Sequence, residues 1–536
     1  MPTVAELLLA RRGDTETALL FEDVRISWAE HVQTSAKWAA HLESMLDDGI
    51  PPHVGVLLDN VPEFSYVLGA AALGGLVAVG LNSTRPGPAI VDDARRTDCR
   101  IVLTDSAHRH LVDGAVGIEV VDVESAQWRD RVAEAAPDLP HVLPDASELL
   151  MLVFTSGTGG EPKAVRCTQS KVAVPGAMLA DRFRLGRTDT VYVSMPLFHS
   201  NAIMAGWAVA VAAGSNLTLR RTFSASGFLG DIRKFGATYA NYVGTPLTYV
   251  LATPQRPDDA DNPLRIAYGN EATPGAAEQF SARFGVHVVD GFGSSEGGIS
   301  IARTPDTPAA ALGPLPSGVR ILDDRGTVCP AAVFDSSGVV LNAKDAVGEL
   351  VSVDGPGMFC GYYRNAEADA DRMREGMYFS GDLAYADADG YAYFAGRSSG
   401  WMRIAGENLG TAPIDRILMR HKDIRSACVF GVPCDGPGEQ IMAAIVAPES
   451  VMNEFDEFLD AQVDLGVRAY PTLVRVCTEL PHTATHKILA RELQRQRWNT
   501  SDPVWWSPSP GAPFCRLRER DRQQLEDSVG AEHVRR

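Results

Sequence analysis

Residues 149–165 read LLMLVFTSGTGGEPKAV. The uncharged run Leu149–Phe154 has the length and apolar character of a strand buried on both faces. It passes without a spacer into Thr155-Ser156-Gly157-Thr158-Gly159-Gly160-Glu161-Pro162-Lys163. Glycines let successive backbone N–H groups converge on one concavity, hydroxyls add donors, and the lysine closes the nest with a positive charge. Such a loop suits phosphate, yet it is neither of the two common phosphate loops. A Walker A loop needs Gly directly before its Lys, where Pro162 stands, and a dinucleotide fingerprint needs Gly at position 162 after Gly157 and Gly159. The plainer reading, a loose Ser/Thr/Gly surface turn, gives no reason for so apolar a strand to precede it.

Working outward, β-rich runs at Val54–Leu58, Val77–Leu81, Ile101–Thr104, Thr190–Ser194 and Ala237–Asn241 alternate with helix-like stretches, which predicts βα units and largely parallel sheets. Eighteen residues from Phe64 to Leu81 carry no charge, the length of a marginal membrane span. Gly69, Gly74, Gly75 and Gly80 interrupt them, so the run is read as a core helix, a turn and a buried strand. From Ala302 to Gly361 short strands broken by Gly and Pro predict a β-rich subdomain. After Gly396-Arg397 a new strand and helix cycle begins. The segment DPVWWSPSPGAPF, followed by a stretch of alternating charge, predicts a peripheral tail. The fold class expected is α/β: a large N-terminal domain (1–396) of layered βα sheets with a β-rich subdomain (about 302–361), a hinge at 397–400, a small α+β C-terminal domain (401–497) and a tail (498–536).

Composition narrows the function. Among 536 residues, 49 basic against 68 acidic side chains leave a net charge of −19, which excludes a general nucleic-acid binder. Any nucleotide must sit in a pocket. Eight cysteines without CxxC pairing read as reduced thiols, and the N-terminal apolar patch is too short for a secretory core. The expectation is a cytoplasmic protein.

The phosphate loop resembles that of the adenylate-forming superfamily, Ser/Thr-Ser-Gly-Thr-Thr-Gly-x-Pro-Lys-Gly, departing at Gly159 and Ala164. Three further segments follow in the family's order. Asp290-Gly291-Phe292-Gly293-Ser294-Ser295-Glu296 is similar to its Tyr-Gly-x-Thr-Glu segment. The resemblance implies that Phe292 stacks on adenine, Ser295 meets the α-phosphate and Glu296 binds magnesium, a hard cation suited to a carboxylate. Tyr378–Leu383 and Gly390–Arg397 resemble the Gly-Asp-Leu and Gly-Arg segments, implying Asp382 at the ribose hydroxyls with Arg397 nearby. Pro481-His482-Thr483-Ala484-Thr485-His486-Lys487-Ile488 places Lys487 as the C-terminal catalytic lysine, an electrostatic role at the α-phosphate. Taken singly, Glu296 reads as a helix-start acid, Asp382 as a turn acid and Lys487 as solvated surface; the ordered series separates them from those readings.

Residues 238–272 and 401–415 are similar to the very-long-chain acyl-CoA synthetase and fatty-acid-transport-protein branch, which includes actinobacterial ligases for steroid side-chain acids. The nucleotide set then comprises Thr155, Ser156, Gly157, Thr158, Gly159, Gly160, Lys163, Gly269, Asn270, Glu271, Phe292, Gly293, Ser295, Asp382, Arg397 and Lys487, with Lys163, Glu296 and Lys487 catalytic. The acid pocket is assigned to His199, Asn201, Met204, Tyr242, Val243 and Gly244; His199 reads equally well as a core histidine. From Ser200 to Gly214 there is no carboxylate to pair a substrate ammonium, which argues against amino-acid activation.

The activity implied is ligation of a long-chain, very-long-chain or steroid side-chain acid to CoA through an acyl-adenylate, using ATP, Mg²⁺ and CoA. Partners are the small-molecule acid and CoA, with no nucleic acid, room for peripheral contact at the inner face of the membrane, and the oligomeric state open. Where this branch carries an acid three residues after the hinge arginine, the chain has Gly400. An acyl-adenylate-binding protein with weak or absent thioesterification therefore stays as an alternative, and a membrane-embedded transporter as a more remote one.

Overall fold

The computed structural model describes the chain apart from residues 48, 138, 140–141, 156–161, 245, 273–274, 336–339, 398–400, 405–406, 435–438, 463–464, 466–468, 483–487, 508–511, 524 and 527–536, and the side chains of 397, 401, 403 and 407–409. It divides into two compact units: residues 1–303 with 355–376, and residues 304–354 with the described residues from 377 onward.

The first unit contains two mainly parallel sheets. One runs in the order Glu119–Asp122, Ile101–Thr104, His53–Leu57, Val77–Gly80, Leu149–Thr155, Lys163–Thr168. Only its last pair is antiparallel, so the strand that opens the phosphate loop turns straight back along Lys163–Thr168. The other runs His287–Asp290, Ile266–Asn270, Tyr239–Val243, Thr190–Val193, Asn216–Leu219, Thr17–Phe21, Val24–Ser27, parallel until the final hairpin. The uncharged run is helix Pro62–Gly74, Gly75 at φ +68° and strand Val77–Gly80, as the glycines predict. Pro62 starts the helix, where no N–H partner is needed, and Gly75 takes the left-handed conformation that ends it. A Cβ at Gly69 would lie 2.2 Å from Ser35 Oγ, so glycine is what brings this helix close to helix Trp28–Ser44. Among the described residues no helix is long and apolar enough to cross a membrane.

In the second unit an antiparallel sheet joins Gly313–Pro314, Val319–Leu322, Gly348–Ser352, Met377–Ala386 and Tyr391–Arg397. It reaches well past the expected 302–361, because Met377–Ala386 pairs with Gly348–Ser352 and Tyr391–Arg397 pairs in turn with Met377–Ala386, while residues 355–376 leave it for the first unit. A five-stranded sheet follows: Ser426–Pro433, Glu439–Val446, Leu473–Cys477, Val504–Trp506, Cys515–Arg516. The tail is thus not peripheral. Its described part adds two strands to an otherwise open edge and buries Trp498 completely, so Trp505 and Trp506 pair with Val474 and Leu473.

Candidate active site

Open α/β sheets bind ligands outside the carboxyl ends of their strands, where consecutive connections leave in opposite directions. In the seven-stranded sheet that point lies between Thr190–Val193, whose chain proceeds to Asn216–Leu219 on one side, and Tyr239–Val243, whose chain proceeds to Ile266–Asn270 on the other. The residues assigned to the acid pocket and to adenine lie at the carboxyl ends of these strands or in the segments that follow them. Buried Asn60 fixes the entry: its Nδ2 donates to Met195 O (2.9 Å) and its Oδ1 accepts from Leu197 N (2.8 Å). His199 follows, partly buried, with its ring 4.5 Å from that of Phe198.

From Ser200 the chain is helical, but Ile203–Trp207 widens into a π-helical turn, and the Tyr239 hydroxyl donates to Ala205 O there (2.8 Å). Ile203, Ala205 and Trp207 are buried, whereas Asn201 and Met204, three apart on one face, are partly exposed. A directional chain of amides then crosses the strand ends. Asn241 Nδ2 donates to Asn201 Oδ1 (2.6 Å), Asn201 Nδ2 to Asn270 Oδ1 (3.2 Å), and Asn270 Nδ2 to Gly291 O (2.6 Å). Ser200 and Ser295 share a hydroxyl–hydroxyl bond of 2.6 Å. Tyr242 donates to Asp290 Oδ1 (2.8 Å), which also accepts from Ala272 N (3.1 Å), and burial pushes the Asp290 carboxyl up to about 6.

Gly269 is dictated by space, since a Cβ there would meet Tyr242 O at 2.2 Å. Val243 is buried, and Gly244 donates its N–H to Asn270 O (2.7 Å). Glu271 takes φ +63°, a left-handed conformation uncommon outside glycine and concentrated at functional sites. Phe292-Gly293 pairs with Ser300-Ile301, leaving Phe292 partly exposed and Gly293 exposed. Behind Tyr242 lies an apolar cavity of about 10 Å³, bounded by Phe223, Phe228, Leu247 and Val250.

At the phosphate-loop hairpin, Thr155 pairs with Lys163 across its base. Ser156, Gly157, Thr158, Gly159 and Gly160 lie outside the described residues, as do Lys487 and the Arg397 side chain. Lys163 Nζ sits 5.2 Å over the Tyr362 ring, and the Tyr362 hydroxyl donates to Glu296 Oε1 (2.9 Å). Burial and the Glu296 charge beside it push the Tyr362 phenol upward, which keeps it a donor. Lys171, 1% exposed, donates to Glu296 O (2.8 Å) and Arg166 O (3.1 Å). Glu296 Oε2 has no hydrogen-bond partner among the described residues. One anchored and one open oxygen of a hard carboxylate beside a phosphate loop fit Mg²⁺, which takes few protein ligands and shares phosphate oxygens and water.

In the second unit Asp382 is buried on strand Met377–Ala386, opposite Arg397 in the ladder. Gly381 beside it has φ +74° and donates its N–H to Glu349 Oε1 (2.7 Å).

Sequence reasoning missed Tyr362, Lys171, Asn241, Ser200 and Asp290. Asp290 stood at the head of the Asp290–Glu296 segment without a role, and Asn241 gave a signal of its own, an amide in the middle of the β-branched and aromatic run Tyr239–Val243, where asparagine is disfavoured.

Comparison with known proteins extends this picture. The pattern of the AMP-binding enzyme family matches residues 9–363, and that of the AMP-binding enzyme C-terminal domain matches residues 414–487. The chain is 51% identical over 509 residues to medium/long-chain-fatty-acid–CoA ligase FadD17 of Mycobacterium marinum, covering 94% of this chain and 98% of that one. It is 43% identical over 536 residues to steroid-22-oyl-CoA synthetase of Rhodococcus jostii, covering 98% and 96%. The crystal structure of ATP-bound MatB from Rhodopseudomonas palustris superposes with a TM-score of 0.81 at 21% identity, covering 92% of this chain and 99% of that one. The mixed α/β fold of layered sheets with a smaller C-terminal region is thus the fold of these solved structures.

Proposed function

The chain belongs to the AMP-binding enzyme family, and from that premise we propose that it is an ATP-dependent, AMP-forming acyl-CoA ligase for a long-chain, very-long-chain or steroid side-chain acid. The observation that carries the reading is the Lys163–Tyr362–Glu296 arrangement beside the phosphate-loop hairpin, in a chain whose half-identical relative is a fatty-acid–CoA ligase. Its eight free cysteines support a cytoplasmic setting.

The reaction has two displacements. A carboxylate oxygen of the acid attacks the α-phosphorus, and the bond to the β-phosphate oxygen breaks to release pyrophosphate. The CoA thiolate then attacks the acyl carbon, and AMP leaves with the electrons of the acyl–oxygen bond. Mg²⁺ supplies charge neutralisation at the phosphates, and Glu296 would hold it. Lys163 and Lys487 offset charge that develops at the α-phosphorus. Phe292 offers a stacking face to adenine, Asp382 accepts from the ribose hydroxyls with Arg397 beside it, and Ser295, held by Ser200, points a hydroxyl at the α-phosphate. Asn201, Met204, His199, Tyr242, Val243 and Gly244 line the entry for the acid. A cavity of about 10 Å³ holds about one water, so a lipid or steroid tail that enters it needs the Tyr242 side chain, which lines it, to move. Between the steps the 401–497 domain turns about the 397–400 hinge.

The decisive experiment incubates the purified chain with MgATP, CoA and a panel of fatty and steroid side-chain acids, with products read by mass spectrometry. Acyl-CoA and AMP are expected. ADP as product would sink the adenylation mechanism, and acyl-AMP accumulating without thioester would favour the adenylate-binding alternative.

A further inference from the structure

We propose that Tyr362 is a positioning residue that sets the spacing between the metal-binding carboxylate and the phosphate-loop lysine, with Lys171 as the second anchor of Glu296. Two side-chain contacts and a set of backbone ones meet at this residue, which is 3% exposed. Its hydroxyl donates to Glu296 Oε1, its ring lies under Lys163 Nζ, and its backbone is tied to the strand that carries Lys163. Val165 bridges to Tyr362, Tyr363 N donates to Ala164 O (2.8 Å), and Arg166 N donates to Gly361 O (3.1 Å). Asp369 Oδ1 accepts from Tyr362 N (2.7 Å), and Arg372 Nε reaches the phenol oxygen at 3.4 Å. The backbone that carries the ring is therefore held to the Lys163 strand.

Lys171 acts from the other side. Its buried ammonium takes the Glu296 and Arg166 carbonyls, so the backbone of Glu296 is tied to the same Lys163–Thr168 strand that Tyr362 grips. One cation and one phenol thus fix a carboxylate at both its backbone and one of its oxygens. The second oxygen is left to face a metal. Removing a partner that orients a ligating side chain typically costs about 10–100-fold in metal affinity.

The inference rests on Glu296 being the carboxylate that meets the metal, and the test separates the two. Mn²⁺ binding to the full chain with adenosine 5′-(α,β-methylene)triphosphate is followed by electron paramagnetic resonance, and binding of the same nucleotide without metal by calorimetry. Tyr362→Phe keeps the ring and removes the donor, so Mn²⁺ affinity is expected to fall about tenfold while metal-free nucleotide affinity holds within about twofold. Tyr362→Leu also removes the face beneath Lys163, and metal-free affinity should then drop about threefold. Lys171→Met should lower Mn²⁺ affinity alone, and decides the matter should the tyrosine variants not fold. Raised Mg²⁺ should restore acyl-AMP formation in Tyr362→Phe. An unchanged Mn²⁺ affinity in Glu296→Gln would overturn the assignment of Glu296 and this inference together. A loss in Glu296→Gln with none in Tyr362→Phe or Lys171→Met would overturn the inference alone.

Discussion

The first unit has two crevices of one topological kind, and they have opposite chemistry. In the seven-stranded sheet the strands that part, Thr190–Val193 and Tyr239–Val243, end in amides and hydroxyls whose bonds run onward from Asn241 through Asn201 and Asn270 to Gly291 O. In the six-stranded sheet the corresponding strands are His53–Leu57, which leads to Val77–Gly80 on one side, and Ile101–Thr104, which leads to Glu119–Asp122 on the other. Here Asp59 and Asp105 close on His108, with Nε2 3.5 Å from Asp59 Oδ1 and Nδ1 2.7 Å from Asp105 Oδ1. The imidazole and the two carboxyl groups satisfy one another across the gap, whereas the amide ladder keeps one partly exposed face. Topology offers a ligand two places, and side-chain chemistry leaves one of them open.

The largest expected effect tests that division directly. Glu296→Gln should lower acyl-AMP formation by ~10²–10³-fold, the loss typical of removing one preorganised charge-stabilising group. Asp105→Asn at the sealed crevice should cost about 1–3 kcal/mol of stability through lost hydrogen bonds and leave kcat within about twofold. Rapid-quench measurement of acyl-AMP with urea unfolding of both variants reads the contrast. Comparable rate losses would mean that the second crevice belongs to the site.

The crevices should also separate on the pH axis. Burial raises Asp290 to about 6 from 3.8, so the folded protein keeps a proton that the unfolded chain has lost. Stability from this group is full below about pH 4 and disappears as pH rises through about 6, on the order of 3 kcal/mol in all. His108 is raised above 6.5, chiefly by its bond to Asp105 and against its burial, with Asp59 adding and Arg221 opposing. Its contribution is full below pH 6.5 and disappears as pH rises through the higher folded value. Urea midpoints across pH 4–9 should lose the lower slope in Asp290→Asn and the upper slope in His108→Asn. Both variants flattening the same interval would refute the assignment.

A smaller effect is expected within the open crevice. Asn241→Leu leaves Asn201 Oδ1 without its donor, which at about 1–3 kcal/mol corresponds to roughly tenfold or more in affinity. Because the ladder joins the acid-binding helix to the strand end at Asn270, KM for acid and KM for ATP should rise together. A lower melting temperature with both KM values unchanged would make the ladder structural.

How much of this was legible in the sequence depends on the range of the contact. Ile101–Thr104 falls where predicted, and the helix, turn and strand within Phe64–Leu81 follow from glycine placement, because both rest on local patterns. Phosphate-loop and Glu296 segments were readable because the ordered motifs carry a resemblance. Tyr362 was not, since its bond to Glu296 spans 66 residues and nothing in Gly361-Tyr362-Tyr363 distinguishes one ring from the other. Tyr363 turns instead to Asp98 (2.7 Å), in the turn before strand Ile101–Thr104. The tail failed as a prediction for a related reason: proline and tryptophan content said nothing about the open sheet edge that awaited it.

The smallest effect concerns Glu271, the strained residue of the open crevice; among the described residues, Asp59, Asp105 and His108 show no such conformation. A left-handed residue other than glycine costs about 1–2 kcal/mol, and glycine would relieve that while adding about 0.4–1 kcal/mol of unfolded-state entropy. Glu271→Gly should therefore move stability by no more than about 1 kcal/mol. The informative readout is ATP binding in Glu271→Gly against Glu271→Ala, since alanine keeps the β-carbon and the strain but loses the carboxylate. If the backbone at 271 is what presents the adenine-side loop, alanine should bind ATP like the parent and glycine, free to leave φ +63°, two- to fivefold more weakly, a difference of about 0.4–1 kcal/mol. Equal weakening in both would assign the role to the carboxylate, and no change in either would make the strain incidental to nucleotide binding.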